Sequence, residues 1–458
     1  MEQSPKSIFE GMRRFFATGA TLNHDYRKKY LRKLRDAIKS NEQLIVEALH
    51  ADLRKSPEEA YMTEVSVVLA EIRGQLRHMS RWARTRCVAT PLSLFPSTSC
   101  TIRQPKGVVL VLSPWNYPFQ LALDPLVGAL AAGNCVVLKP STTSAATCAV
   151  IRKIITEVFP PEYVSVFDGD HDQTAQLLSM RFDHIFFTGG ASFGATVMAY
   201  AAKNLVPVTL ELGGKSPCIV DSTADVELAA RKIIWGKLIN AGQTCVAPDY
   251  VLVHESLKEQ LIESMVASVW KFYGRDVRNV ESYPRIISDK AFRRLAGYID
   301  AAAGRIVYGG EYDALDRYVA PTIIDEPDHQ SPLMQEEIFG PILPVIAFKR
   351  REEAVEFVNS RERPLALYYF GNRRDGLQLL EQTTSGGACI NDTIIHVANP
   401  HLPFGGVGFS GMGRYHYRWS FDTFSNIKGT VVSARSRELK FRYPPYTHRN
   451  FSIIKRLI

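Results

Sequence analysis

The chain has little of what would mark it as secreted, zinc-binding or membrane-spanning. Its seven cysteines include no C-x-x-C pair. That spacing argues against a zinc site and against a disulfide framework. No apolar run is long and unbroken enough for a bilayer. The richest, Leu121 to Leu138, is interrupted by Asp124, Pro125, Gly128, Gly133 and Asn134, and it reads as a buried helix followed by a strand. The start, Met1-Glu2-Gln3-Ser4-Pro5, lacks the charged-then-apolar layout of a secretory leader. The expected setting is a reducing cytosol. There is no internal repeat, no low-complexity segment and no G-x-G-x-x-G fingerprint.

What is there is an ordinary globular composition. The 458 residues are 46% hydrophobic and 22% charged, enough for two or three domains with sizeable cores. The net charge is +8. Much of the surplus follows Ser433, where Arg435, Arg437, Lys440, Arg442, Arg449, Lys455 and Arg456 face one acid, Glu438. A solvated tail is the plain reading of this stretch. Its last residues, Phe451 to Ile458, could touch a membrane weakly as an amphipathic segment. No recognition motif accompanies the charge, so nucleic acid is not an expected partner.

The first hundred residues read as helices. Ser56-Pro57-Glu58-Glu59 has the layout of a helix start, with Ser as cap, Pro at the first position and Glu reaching back. Cys100 to Arg103 reads as an edge strand or arm. Strands are then expected at Val108–Leu112, Cys135–Leu138, Val164–Phe167, His184–Phe187 and Pro207–Leu210, with helices at Pro118–Ala131 and Ser144–Val158. Apolar strands alternating with helices imply a parallel sheet covered on both faces. Such sheets bind ligands beyond the carboxyl ends of their strands. A second α/β series runs from about Ser216 to Ser385. The section from Gly386 to Val432 is rich in glycine and aromatics.

Two runs carry the chemistry. Cys245 lies in Asn240-Ala241-Gly242-Gln243-Thr244-Cys245, among small and polar residues, whereas Cys135, Cys148 and Cys218 lie in apolar runs and read as small buried hydrophobes. Glu211 ends a strand of β-type residues and leads into Leu212-Gly213-Gly214-Lys215. An acid there is costly unless used or paired. A sulfur nucleophile with a separate base for water can form and then hydrolyse a thioester. Three loops follow strands of the first series. In Ser113-Pro114-Trp115-Asn116-Tyr117-Pro118, two prolines fix an asparagine whose amide can meet an oxyanion; a turn asparagine is the plain alternative. Lys139 can reach a ribose or phosphate, but by itself a lysine there is more often simply solvated. Thr188-Gly189-Gly190-Ala191-Ser192-Phe193-Gly194 can bring backbone to a pyrophosphate at a helix start, or is a tight turn with no ligand. Gln335 to Pro341, with Glu337 and Phe339, reads without further support as a surface turn.

Seven motifs, in order, resemble the aldehyde dehydrogenase superfamily: Pro114-Trp115-Asn116, Leu138-Lys139-Pro140-Ser141, Phe187-Thr188-Gly189, Glu211 to Lys215, Gly242 to Cys245, Glu337 to Pro341 and Pro403-Phe404-Gly405-Gly406. They span roughly residues 100 to 430. The short N-terminus, Gln243 to Tyr250 and the tail run Arg442-Tyr443-Pro444-Pro445-Tyr446 look like the class 3 branch of fatty and aromatic aldehyde dehydrogenases. The resemblance implies an α/β fold with a Rossmann-type cofactor domain, an α/β catalytic domain and a small β oligomerisation element. The expected bounds are 1–85 with 104–212, then 213–385, then 86–103 with 386–432, and a basic tail over 433–458. It implies Cys245 as nucleophile, Asn116 and the Cys245 N–H as oxyanion donors, and Glu211 as the base for water. Ser113, Trp115, Lys139, Thr188, Gly189, Gly190, Gly194, Glu337 and Phe339 would hold NAD or NADP. Tyr61, Trp235 and Ile395 would line an apolar substrate tunnel. No metal is implied, and a homodimer is.

Three departures from the family pattern matter. Thr142 stands where an acid is common, so NADP should be tolerated. Gly190 replaces a common serine and removes a donor at the phosphate turn. Tyr417 replaces a common glycine and would add bulk near the tunnel mouth. Two other readings compete. An acyl-transferring relative using coenzyme A or an acyl phosphate generally lacks the Glu211 equivalent. A non-enzymatic binding protein usually loses the nucleophile or its base, and both are present here.

Overall fold

A computed structural model describes residues 5–169, 171–435, 439–440 and 443–457 of the chain. The N-terminal helices Pro5–Ala17, His24–Ser40, Glu42–Leu53 and Ser66–Trp82 come first. Their apolar stripes (Leu31, Leu34 and Ile38; Ile45 and Leu49; Val68, Ile72 and Met79) are buried, as amphipathic helices on a sheet require.

The first sheet has five parallel strands, in spatial order Val208–Glu211, His184–Thr188, Val108–Leu112, Cys135–Lys139 and Val164–Val166. A short sixth strand, Gly411–Met412, adds antiparallel beside Val208–Glu211. The order reverses between His184–Thr188 and Val108–Leu112, which is where a doubly wound sheet opens a crevice. The helix Gln120–Ala132 is buried along its whole length. That accounts for its near-continuous apolar sequence. Helices covering the sheet from both sides leave no polar face for it.

The second sheet has seven strands, in order Ile306–Tyr308, Thr322–Asp325, Ile342–Phe348, Tyr250–His254, Pro217–Val220, Ala366–Phe370 and Gly387–Ile390. All its pairs are parallel except the first. A third, antiparallel sheet holds Arg86–Val88, Thr98–Pro105 and Ser425–Val432, in that order.

Two expectations change here. Cys100 to Arg103 is not an edge: Thr98–Pro105 is the central strand, because Ser425–Val432 returns from far along the chain to pair with it over its full length. Gly387–Ile390 does not belong with the bridging sheet. It pairs in parallel with Ala366–Phe370 at the edge of the second sheet. The bridging sheet takes only Ser425–Val432 from the section 386–432. Among the described residues, no helix is long and apolar enough to cross a membrane. In the tail, His448–Leu457 is a helix packed near Leu92–Leu94. The side chains of Ile453, Ile454 and Leu457, and all of Ile458, lie outside the described residues, as do Arg437, Glu438 and Arg442.

Candidate active site

Three neighbouring strands of the first sheet deliver residues to one rim. Val208–Glu211 ends in Glu211, whose register partner Thr188 ends the next strand. The strand beyond, Val108–Leu112, runs into Ser113 and on to Asn116. The second sheet supplies the opposite wall. Cys245 lies between the helix Val226–Leu238 and the strand Tyr250–His254, and Glu337 and Phe339 lie just before Ile342–Phe348. A cavity of about 290 Å³ opens between these walls, lined by Trp115, Asn116, Thr188, Gly189, Gly190, Glu211, Cys245, Glu337 and Phe339, with Leu121, Arg294, Phe404 and Tyr415.

Not every candidate reaches it. Ser113, at the start of the loop that carries Pro114 to Asn116, and Lys139, at the end of the next strand, do not line it; the Ser113 N–H donates to the Lys139 carbonyl at 3.1 Å. Gly194 lies one turn into the helix Ala191–Lys203, and a Cβ there would meet the Leu212 side chain at 2.7 Å. It is a packing glycine. Tyr61 and Ile395 are 43% and 47% exposed, Trp235 is half-buried, and none of the three lines the cavity. Tyr417 is not in it either. Its ring covers Gly74, its hydroxyl donates to the Ala70 carbonyl at 3.1 Å, and its N–H donates to Glu71. Its bulk therefore goes against the helix Ser66–Trp82, in the space that glycine at 74 leaves.

Glu211 is 2% exposed and neither carboxylate oxygen has a hydrogen-bond partner. Burial pushes its pKa well above the ordinary carboxylate value, and the nearby Arg414 offsets this only in part. Cys245 is half-buried. Burial, then the charges of Glu337 and Glu211, push its thiol up to about 12, against the pull of the Cys245 and Val246 backbone N–H groups. Apart from those two N–H groups, the surroundings favour the neutral thiol. The thiolate must form by giving its proton to a base.

The loop before Cys245 is strained and heavily tied. Asn240 and Ala241 are left-handed, with φ of 52° and 51°, a region that side chains other than Gly and Asn rarely adopt. The Asn240 N–H donates to Glu59 Oε1 at 2.7 Å. Its amide donates to the carbonyls of Asn116 at 2.8 Å and Gln243 at 3.1 Å. The Asn116 amide donates to the same Gln243 carbonyl at 3.0 Å, which leaves its second N–H uncommitted. Lys55 and Glu64, both with fully buried side chains, pair at 2.5 Å. Lys55 also donates to the Asn116 carbonyl at 3.1 Å, and Glu64 accepts from the N–H groups of Phe119 and Gln120. The Tyr117 hydroxyl meets Thr244 at 2.6 Å. The nucleophile loop and the asparagine are thus fixed to each other and to the N-terminal helices.

The expected helix start at Ser56 is half right. Ser56 Oγ accepts from the Glu59 N–H at 3.2 Å, but the Glu59 carboxylate reaches Asn240 instead of folding back. The surface turn expected at Gln335–Pro341 is not one. Ile338 is buried, its N–H donates to Asp249 at 3.0 Å, Lys215 bridges Asp249 to the carbonyls of Leu333 and Glu336, and Arg294 holds the Glu337 and Ile338 carbonyls. Glu337 turns inward against Gly213, where a Cβ would stand 2.1 Å from its Oε2. Burial, then Asp249, raise its pKa to about 8. Phe339 has φ of 48° and meets Trp115 edge-on at 5.4 Å. Sequence reading missed Lys55, Glu59, Glu64, Asn240 and Arg294.

The rim fits a phosphate-bearing dinucleotide. The hydroxyls of Ser113 and Thr188 are buried with no partner. Beside them Gly190 faces open space at the start of a 13-residue helix, whose first N–H groups favour an anion. Among the described residues no group of three or more side chains could hold a metal ion.

Comparison with known proteins shows the family and the fold. Residues 3–430 match the model of the aldehyde dehydrogenase family. The chain is 45% identical over 448 residues to the 4,4'-diaponeurosporen-aldehyde dehydrogenase of Staphylococcus aureus, covering 98% of this chain and 97% of that protein. It is 44% identical over 436 residues to the rat (Rattus norvegicus) aldehyde dehydrogenase named dimeric and NADP-preferring, covering 94% and 96%. The solved structure described as the substrate-bound state of Staphylococcus aureus AldH superposes with a TM-score of 0.97 at 43% identity, covering 99% of both chains.

Proposed function

This chain belongs to the aldehyde dehydrogenase family, and we propose that it oxidises a medium- or long-chain aliphatic or aromatic aldehyde to the acid through a thioester on Cys245. One observation carries the reading: a buried carboxylate without hydrogen bonds, Glu211, and a half-buried thiol, Cys245, line one cavity with Asn116.

Cys245 Sγ attacks the carbonyl carbon, and its proton passes to a base in the cleft. The free N–H of Asn116 and the Cys245 backbone N–H meet the oxyanion that forms. A bound nicotinamide supplies the acceptor for the hydride that leaves that carbon. The carbon is then a thioester. Glu211 takes a proton from water as the water attacks it; the C–S bond breaks and the acid leaves. Thr188, Ser113, Gly189 and Gly190 would hold the cofactor's phosphates, Lys139 and Glu337 its riboses, and Trp115 and Phe339 its ring. Arg294 and Lys215 set Glu337 in place.

Cys245→Ala should abolish turnover; retained activity would end the proposal. Glu211→Gln should release about one equivalent of reduced cofactor and then stall at the acyl-enzyme. Acylation of added coenzyme A in preference to water would favour the acyl-transfer reading instead.

Either cofactor should serve. Thr142 is neutral and exposed, so no acid at that position repels a 2′-phosphate, and the rat relative is named NADP-preferring. If kcat/KM with NADP falls about a hundredfold below that with NAD, this inference is wrong. The relative's name also supports a homodimer, with the Ser425–Val432 edge adding to a partner's sheet. A cytosolic setting, with weak membrane contact by the tail helix, completes the reading.

A further inference from the structure

We propose that Cys87 and Cys100 form a reversible disulfide across the bridging sheet, making this sheet a site of oxidation by peroxides. The two lie directly opposite each other in the antiparallel pair Arg86–Val88 and Thr98–Pro105. Thirteen positions separate them in sequence, which is why cysteine spacing gave no sign of a pair.

Opposed residues of an antiparallel ladder have Cα atoms about 4.5 or 5.5 Å apart, depending on the hydrogen-bonding pattern. Both values fall inside the range of about 4.4–6.8 Å seen across disulfides. Their Cβ atoms also leave the sheet on the same face. Both thiols are free; Cys87 is exposed and Cys100 half-buried. The other cysteines lack this arrangement. Cys135, Cys148, Cys218 and Cys389 are buried, and Cys245 belongs to the cleft.

The exposed thiol reacts first. Cys87 sulfur attacks one peroxide oxygen, the O–O bond breaks, water leaves and a sulfenic acid forms. Cys100 sulfur then attacks the Cys87 sulfur. The S–S bond forms, the S–O bond breaks and a second water leaves. Two thiols lose two hydrogens and two electrons, and the peroxide is reduced to water. A thiol reductant reverses the step by exchange. The link closes the loop that carries Leu92–Leu94, beside which the tail helix His448–Leu457 packs.

The sequence makes the test direct. No lysine or arginine lies between Cys87 and Arg103, so trypsin leaves both cysteines in one peptide. The full-length protein is treated with hydrogen peroxide, alkylated, digested without reductant and analysed by mass spectrometry. The peptide should lose two hydrogens, take up no alkyl group, and recover two alkylation sites after dithiothreitol. In Cys87→Ser, Cys100 should remain open to alkylation. The link should form about tenfold more slowly in protein unfolded in urea, since the register supplies the proximity. A peptide that stays doubly alkylated, thiols oxidised singly, links to other cysteines, or equal rates folded and unfolded would overturn the proposal.

Discussion

Asn116 shows how one side chain can be legible in type and illegible in support. Two prolines marked its loop as rigid, and its amide does lie at the cleft. Its two-way bonding to Gln243 and Asn240 depends on residues more than a hundred positions away, which no local pattern displays. Asn116→Ala should lower kcat/KM by about 100- to 1000-fold, the effect of one lost oxyanion donor; steady-state kinetics with unchanged cofactor affinity checks it. The titration of the cleft gives a second expectation. Glu337 is held up to about 8, and Glu211 also lies above the ordinary carboxylate value. An acid with a raised pKa becomes a base only as pH climbs. The rate constant for thioester hydrolysis should therefore increase with pH beyond the ordinary carboxylate range, as Glu211 ionises, and Glu211→Gln should lose that rise. Tyr417 was legible as a departure but not in its direction. Its backbone, at φ 49° and ψ −118°, is one that glycine adopts without strain, while its ring fills the space above Gly74.

The elements were the most readable scale. Strand Val108–Leu112 and the buried helix after it follow from apolar run length and flanking turns, because a parallel strand covered on both faces carries no polar position. The pairing of Thr98–Pro105 with Ser425–Val432 was not readable, since alternation says that a strand exists and not which distant strand it meets. The charged pair Lys55–Glu64 was missed for a similar reason: Lys55 sits in the turn between the helices Glu42–Leu53 and Pro57–Ala60, and no local pattern says which ion it meets inside. Lys55→Met leaves Glu64 buried and uncompensated, so it should cost about 3–5 kcal/mol, read as a lower unfolding midpoint in urea. Adding Glu64→Leu should recover part of the loss, because the N–H groups of Phe119 and Gln120 still lose their acceptor.

At the scale of the whole molecule, the family could be read from motif order, whereas the substrate path could not. Tyr61, Trp235 and Ile395 come from three separate helices, and their joint placement depends on how those helices sit. Assembly gives a test at this scale. Ile427 and Val431 are 50% and 52% exposed on the free edge strand and, four apart, share one face. If the proposed dimer forms through this edge, replacing both with Glu should convert it to monomer in light-scattering chromatography. Stability against acid is also a property of the whole chain. Burial pushes His396 and His416 down to about 4. As pH falls from about 6.5 to about 4, the unfolded chain takes up protons there before the native one does, so these residues' share of stability is lost on acidification. Glu59 and Glu71, raised to about 7, act in the opposite sense, so the histidine effect is seen by difference: His416→Gln should show a shallower acid loss than wild type in thermal unfolding. The supports beneath Asn116 and the Cys245 loop come from residues 55, 59 and 64, which leave the ribosome long before the nucleophile does. A fragment begun at Ser66 would keep every family motif and still lack the lysine and two acids that brace the ground beneath its sulfur.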